Sequence, residues 1–315
     1  MHLKFLRVAS LPIVALNLIS GELVEGVLKS DLIPHAVPYA VLLPDGYSKD
    51  VEWPVLFLLH GGGGDRRFLG QVRPWIEELW KAGRLEKMIV ATPSVTARCF
   101  YMDFKDGSEK WESFLAGEFR EHLEKNYNAS RNAKKRLIGG ISMGGMGSLR
   151  IAFRHPHLFG VVAAMEPGIE PILKWSEMQP RHRFWRDQPL FEAAFGKPVD
   201  ATYWERNNPA SIAKASAEKL RESGLQIYIE CGDEDMFLLH EGTEFLHRVL
   251  WDSGVKHEYH SVRGADHLGR TIRPRFQESL LFLERALNPP GPDPTVAPAR
   301  QRLEPLKKKA GVGNQ

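Results

Sequence analysis

Short continuous apolar runs alternate along this chain with stretches whose apolar residues recur every three or four positions. Residues 55–59 are apolar without interruption, the pattern of a strand covered on both faces by helices, and the largely apolar runs 88–93, 137–138, 160–165 and 225–230 read as further strands of the same kind. Between them, residues 75–80, 114–127, 148–153, 237–250 and 275–287 carry helical spacing; Phe276, Leu280, Leu283 and Leu287 are the plainest case. Residues 23–30 and 39–44 read as two further strands with a short link, hence an antiparallel edge, and 256–262 as a last strand. Strand and helix in repeated alternation predict an α/β fold with a mostly parallel central sheet and helices on both faces.

The alternation breaks between residues 166 and 214. Trp175, Phe184, Trp185, Phe191, Phe195, Tyr203 and Trp204 stand there among prolines and charges, which predicts a packed, cap-like insertion within a catalytic domain spanning 21–287. Both ends differ from the middle. At residues 1–20, His2, Lys4 and Arg7 precede an apolar stretch broken by Pro12 and Asn17, so this segment is a leader or extension. A cytoplasmic location is expected, with secretion the alternative if the segment acts as a signal peptide. From Asn288 the chain is rich in proline and then polar and basic, and residues 288–315 are expected to be disordered.

Composition narrows the function by exclusion. Across 315 residues the formal charge is only +3, and 43% of residues are hydrophobic. The basic clusters Lys134-Lys135-Arg136 and Lys307-Lys308-Lys309 are short, so no nucleic-acid partner is expected. No apolar run reaches the length of a membrane span. Cys99 and Cys231 form no disulfide framework and lack metal-ligand spacing. His155-Pro156-His157 and the pair His257 and His260 come nearest to ligand spacing, but neither is H-E-x-x-H, and on a strand His257 and His260 point to opposite faces. No metal and no cofactor is therefore expected, and the chain is compatible with a homo-oligomer.

The chemistry concentrates at Gly140-Ile141-Ser142-Met143-Gly144, a G-x-S-x-G sequence between a short apolar run and a helical pattern. A serine on a sharp strand-to-helix turn has its Oγ lifted above the sheet, and glycines on either side relieve the crowding. Such a hydroxyl needs a base and an acid to orient that base. The strand at 225–230 ends in Cys231-Gly232-Asp233-Glu234-Asp235, and the last strand leads to His267 at a loop tip. Ser142, Asp235 and His267 thus follow the order nucleophile, acid, histidine. Asp235 is favoured over Asp233 and Glu234 because the loop needs a few residues to turn toward the histidine. After the strand at 55–59, His60-Gly61-Gly62-Gly63-Gly64 supplies a second candidate donor: the N–H groups of Gly62 and Met143 form the expected oxyanion hole. His60, Gly61, Tyr101 and Trp185 are the expected walls of the substrate pocket.

Several segments carry a family resemblance that covers residues 25–287. They are Leu59-His60-Gly61-Gly62-Gly63-Gly64, Phe100-Tyr101-Met102-Asp103, Ser142-Met143-Gly144-Gly145-Met146-Gly147-Ser148, His155-Pro156-His157-Leu158-Phe159, Phe195-Gly196, Asn208-Pro209 and Cys231-Gly232-Asp233-Glu234-Asp235. With them the chain resembles the esterase family that includes esterase D or S-formylglutathione hydrolase, feruloyl esterase domains, tributyrin esterase and the antigen 85 mycolyltransferases. The resemblance implies an α/β-hydrolase fold and a serine carboxylic-ester hydrolase working through an acyl-enzyme on short acyl, aryl or sugar esters. It implies Ser142 as nucleophile, Asp235 as acid, His267 as base, and Gly62 with Met143 as oxyanion donors. The rivals are acyl transfer to an alcohol, as in the antigen 85 group, and a non-catalytic binding protein on the same fold. Two departures concern the acyl pocket: Glu166-Pro167-Gly168 where many relatives have a small Ser-Gly pair, and Ala265-Asp266-His267-Leu268, which lacks the aromatic that often follows.

Overall fold

A computed structural model describes residues 21–186 and 188–312; the expected leader at 1–20 lies outside the described residues. Eight strands form one sheet: β1 (Glu22–Leu28), β2 (Val37–Leu43), β3 (Val55–Leu59), β4 (Ile89–Pro93), β5 (Arg136–Ile141), β6 (Val161–Met165), β7 (Gln226–Gly232) and β8 (Glu258–Val262). Their order is β1-β2-β4-β3-β5-β6-β7-β8. The β1–β2 and β2–β4 pairs are antiparallel, and every pair from β4 through β3 to β8 is parallel. The antiparallel edge expected from residues 23–44 is therefore present.

The helices follow from the apolar stripes. In chain order they are α1 (Arg67–Lys81), α2 (Trp111–Phe114) and α3 (Arg120–Tyr127), α4 (Met143–Arg154), α5 (Gln188–Phe195), α6 (Ala201–Asn207), α7 (Pro209–Ala215), α8 (Ala217–Ser223), α9 (Leu239–Asp252), α10 (Ile272–Leu287) and α11 (Ala297–Lys309). A single wide turn, Leu115–Phe119, joins α2 to α3. Period-two alternation divides the strand side chains between two cores. Leu56, Leu58, Leu137 and Val161 pack with Leu69 and Ile76 of α1 and Phe276 and Leu280 of α10. On the opposite face Phe57, Ile138 and Val162 pack with Phe119, Leu123, Leu149 of α4, Ile212 of α7 and Leu246 of α9. Burying each such aliphatic side chain contributes about 1.5–3 kcal/mol.

Two elements differ from the sequence expectation. Helix α1 starts at Arg67 rather than near Trp75, because Leu69, Val72, Ile76 and Leu79 form one buried stripe that continues through Pro74. The tail, expected to be unstructured from residue 288, forms α11 over Ala297–Lys309. Its alanine, arginine, glutamine, leucine and lysine residues are good helix formers, and a proline sits in its first turn. No residue of α11 is buried, so this helix adds nothing to the core.

The sheet order places the site. From β3 the chain moves outward to β4, then returns to the other side of β3 as β5. The loops after β3 and β5 consequently part at a topological switch point, where a crevice opens at the carboxyl ends of the strands.

Candidate active site

Ser142 occupies the single position between β5 and α4, with φ 57° and ψ −115°. A non-glycine residue in that region is strained and persists only where its surroundings hold it. Here the holding groups are specific: Ser142 N–H donates to the Met165 carbonyl at 2.9 Å, and its carbonyl accepts from Met146 at 3.0 Å and Gly168 at 3.2 Å. The turn also explains two glycines. A Cβ on Gly140 would lie 2.5 Å from the Leu59 carbonyl oxygen, and one on Gly144 would lie 2.1 Å from it. The turn sets Met143 at the first position of α4, where a backbone N–H has no partner inside the helix. It is thus free to meet an anionic oxygen beside Ser142.

The glycine loop after β3 is braced from behind. His60 is fully buried and its Nδ1 meets the Gly61 carbonyl at 2.8 Å, while Val95 N–H points at Nε2 at 3.4 Å. Those partners fit a neutral ring with its proton on Nδ1, and burial holds its pKa below the ordinary value. The Tyr101 hydroxyl donates to the His60 carbonyl at 2.9 Å. Tyr101 is itself fully buried, which corrects its expected role as a pocket wall: it supports the loop from beneath. His60 likewise acts as a brace, although it and Gly61 border the larger cavity. A Cβ on Gly62 would meet nothing within 4 Å, so this position is open toward the crevice.

Of the three acidic candidates, Asp235 meets the histidine. His267 Nδ1 and Asp235 Oδ2 are 2.7 Å apart, and both residues are buried. The other Asp235 oxygen accepts from Phe237 N–H at 2.8 Å and Leu239 N–H at 3.3 Å. Burial pushes this carboxyl up, but the His267 hydrogen bond and charge, with the two N–H groups, outweigh burial and hold it below its ordinary value. For His267 burial pushes the pKa down; the Asp235 hydrogen bond and the charges of Glu166 and Asp235 outweigh it, so the net shift is upward. Asp233 serves elsewhere, accepting from Gly264 N–H at 2.6 Å and pinning the loop that leads to His267.

Two cavities meet at Ser142. A cavity of about 370 Å³ is bordered by Phe100, Met146, Phe184, Trp185 and Leu190, and also by Met143. A second, of about 880 Å³, is bordered by His267, Asp65, Arg67, Gln71, Trp75 and Phe237. Ser142, Gly62, Gly63 and Trp185 belong to both. Trp185 borders both cavities and divides one from the other. Its indole N–H donates to the Phe237 carbonyl at 3.1 Å, and the Phe237 ring packs edge-on against His267 with centroids 4.7 Å apart. The insertion reaches the smaller cavity through Gly168, Phe184, Trp185, Arg186 and Leu190. It is anchored by Arg186, which pairs with buried Glu170 and donates to the Gly168 carbonyl at 2.7 Å.

Sequence reasoning missed the functional weight of Glu166, Arg275 and Phe237. Glu166 stood out only as a departure from a family pattern, and Arg275 lay inside a helix with no motif to mark it. Glu166, Asp235 and His267 each offer a ligand atom, all within 4.8 Å of one another. Arg275 already pairs with Glu166 Oε2 at 2.6 Å, however, and its guanidinium supplies the balancing cation.

Residues 30–283 match the protein family described as "Putative esterase". An endo-1,4-beta-xylanase/feruloyl esterase of Xylanibacter ruminicola is 32% identical over 142 residues, covering 41% of this chain and 19% of that protein. An esterase of Mycobacterium tuberculosis is 32% identical over 260 residues, covering 74% of this chain and 52% of that protein. The chain thus spans about half or less of the length of these relatives. Among solved structures, a ferulic acid esterase superposes with a TM-score of 0.70 at 24% identity, covering 85% of this chain and 99% of that one. An S-formylglutathione hydrolase from Agrobacterium tumefaciens gives 0.67 at 19% identity, covering 85% and 96%. These likenesses show the α/β-hydrolase fold.

Proposed function

The chain belongs to the esterase family, and from that premise we propose that it is a serine carboxylic-ester hydrolase acting through an acyl-enzyme. The observation that carries the reading is a serine held at φ 57° on the helix-start turn, bordering the same cavity as a histidine whose other nitrogen is 2.7 Å from a buried aspartate.

His267 Nε2 takes the proton from Ser142 Oγ as that oxygen attacks the ester carbonyl, and Asp235 stabilises the resulting imidazolium. The N–H groups of Gly62 and Met143 stabilise the tetrahedral oxyanion, each worth about 3–4 kcal/mol. Collapse breaks the bond to the leaving alcohol, which receives the proton from His267. Water then repeats the sequence on the acyl-enzyme, with His267 as base, and releases the acid.

Proton delivery also orients the substrate. The leaving oxygen must lie toward His267, which borders the larger cavity, so the alcohol occupies that side among Asp65, Arg67 and Gln71. The acyl group then lies in the smaller cavity, against Phe100, Met146, Phe184, Trp185 and Leu190. An apolar or aryl acyl group on a polar alcohol, such as a sugar, is the substrate class this division suits.

The test compares wild type with Ser142→Ala on p-nitrophenyl acetate and butyrate, recording burst and turnover. Loss of both in the variant supports the reading; undiminished turnover in Ser142→Ala refutes it.

A further inference from the structure

The residue that follows β6 is a buried glutamate aimed at the catalytic histidine. Glu166 has φ 37°, a left-handed conformation that a side-chain-bearing residue adopts only when held. Its N–H donates to the Glu230 carbonyl at 2.7 Å. Its Oε2 pairs with Arg275 Nη2 at 2.6 Å, and its Oε1 lies 3.5 Å from His267 Nδ1 with no hydrogen-bond partner among the described residues. Both Glu166 and Asp235 thus face the same nitrogen of His267, Nδ1.

We propose that Glu166 is a positioning residue for His267: a second carboxylate that shares Nδ1 with Asp235, keeps the ring proton on that nitrogen, and supports the imidazolium formed during attack. Its catalytic consequence rests on the hydrolase reading above.

The surroundings make this more than a neighbouring charge. Arg275 holds Glu230 through Nε at 2.9 Å and Nη2 at 3.0 Å, and donates through Nη1 to the Asp266 carbonyl at 2.8 Å. Asp266 in turn accepts from the His267 and Met236 N–H groups at 2.6 and 2.8 Å. Glu166 is therefore tied through one guanidinium to the loop that carries the histidine. The groups facing this cluster are Asp235, Glu230, Arg275, Asp266 and the Cys231 thiol, whose Sγ is 3.7 Å from Asp235 Oδ2. When the three buried carboxyls, Glu166, Asp235 and Glu230, are all ionised against one guanidinium, a proton on the imidazole relieves an excess of negative charge. Burial pushes the Glu166 carboxyl up to about 7, so its charge, and its support of the imidazolium, rises as pH passes neutrality.

Glu166→Gln removes the charge and leaves an oxygen for Arg275. Glu230→Gln is the control, since Glu230 shares Arg275 but does not face His267. The decisive readout needs no substrate: the imidazole resonances of His267, assigned with His267→Gln, are followed by NMR against pH. The expected result is a lower titration midpoint in Glu166→Gln, with a smaller displacement in Glu230→Gln. An equal displacement in both, or none in Glu166→Gln, overturns the proposal whether or not the protein hydrolyses esters.

Activity supplies the second arm. Replacing a triad acid with nothing else at the imidazole costs roughly 10⁴-fold in kcat. With Glu166 present, Asp235→Asn is expected to fall well short of that, and adding Glu166→Gln to it should cost far more than Glu166→Gln costs alone. A full loss of roughly 10⁴-fold in Asp235→Asn alone overturns the proposal, and this comparison stands even if Glu166→Gln does not fold. A wild type without esterase activity would instead refute the hydrolase reading, with the NMR titration still deciding the role of Glu166.

Discussion

Lengthening the acyl chain of a p-nitrophenyl ester from acetyl to butyryl tests the assignment of the smaller cavity. Its volume of about 370 Å³ and its border of Phe100, Met146, Phe184, Trp185 and Leu190 leave room for two additional methylenes in apolar contact. Each buried methylene is worth about 0.8 kcal/mol. If both are buried in the transition state, kcat/KM rises by about 1.6 kcal/mol, or roughly 15-fold. Trp185→Ala removes the wall between the two cavities, and in that variant the butyryl advantage should fall to a few-fold. The assay is kcat/KM for acetyl, propionyl and butyryl esters in both proteins. A wild type that prefers acetate, or an undiminished butyryl advantage in Trp185→Ala, would refute the placement of the acyl group.

Two other predictions follow from the supports of the site. Because the Asp235 hydrogen bond and the carboxylate charges outweigh burial at His267, kcat/KM should decline as pH drops through a midpoint above the ordinary histidine value of about 6.5. Below that midpoint the imidazole is protonated and cannot accept the Ser142 proton; a rate constant from pH 8 to pH 5 would contradict this. Tyr101→Phe removes the buried hydrogen bond to the His60 carbonyl and should cost about 1–2 kcal/mol of stability. Thermal unfolding should register the loss, kcat should decline with the loosened glycine loop, and acyl-length preference should not change. A changed preference with unchanged stability would restore Tyr101 to the pocket wall.

Much of the fold was legible because its signals are local. Unbroken apolar strands such as Val55–Leu59 and the stripe through Phe276, Leu280 and Leu283 depend on neighbours a few residues away, and the strand order placed Ser142 and His267 on one crevice. The start of α1 was less legible: the spacing at residues 75–80 marks only its second half, whereas the buried stripe from Leu69 carries the helix through Pro74. Tyr101 misled because a motif tells which residues lie near a site, not which way they face, and its hydroxyl turns back to brace the loop. Glu166 and Arg275 were beyond reach for a different reason. They are separated by 109 positions, and no periodicity or spacing reports a pair formed only when β6 and α10 pack together.

The central claim is that Ser142 becomes covalently acylated during turnover. Rapid mixing with p-nitrophenyl butyrate, acid quench and intact-protein mass spectrometry, followed by peptide mapping, tests it directly. The account predicts a butyryl adduct on the peptide containing Ser142, forming in the burst phase and absent from Ser142→Ala. Steady hydrolysis with no adduct, or an adduct on another residue that persists in Ser142→Ala, would contradict it.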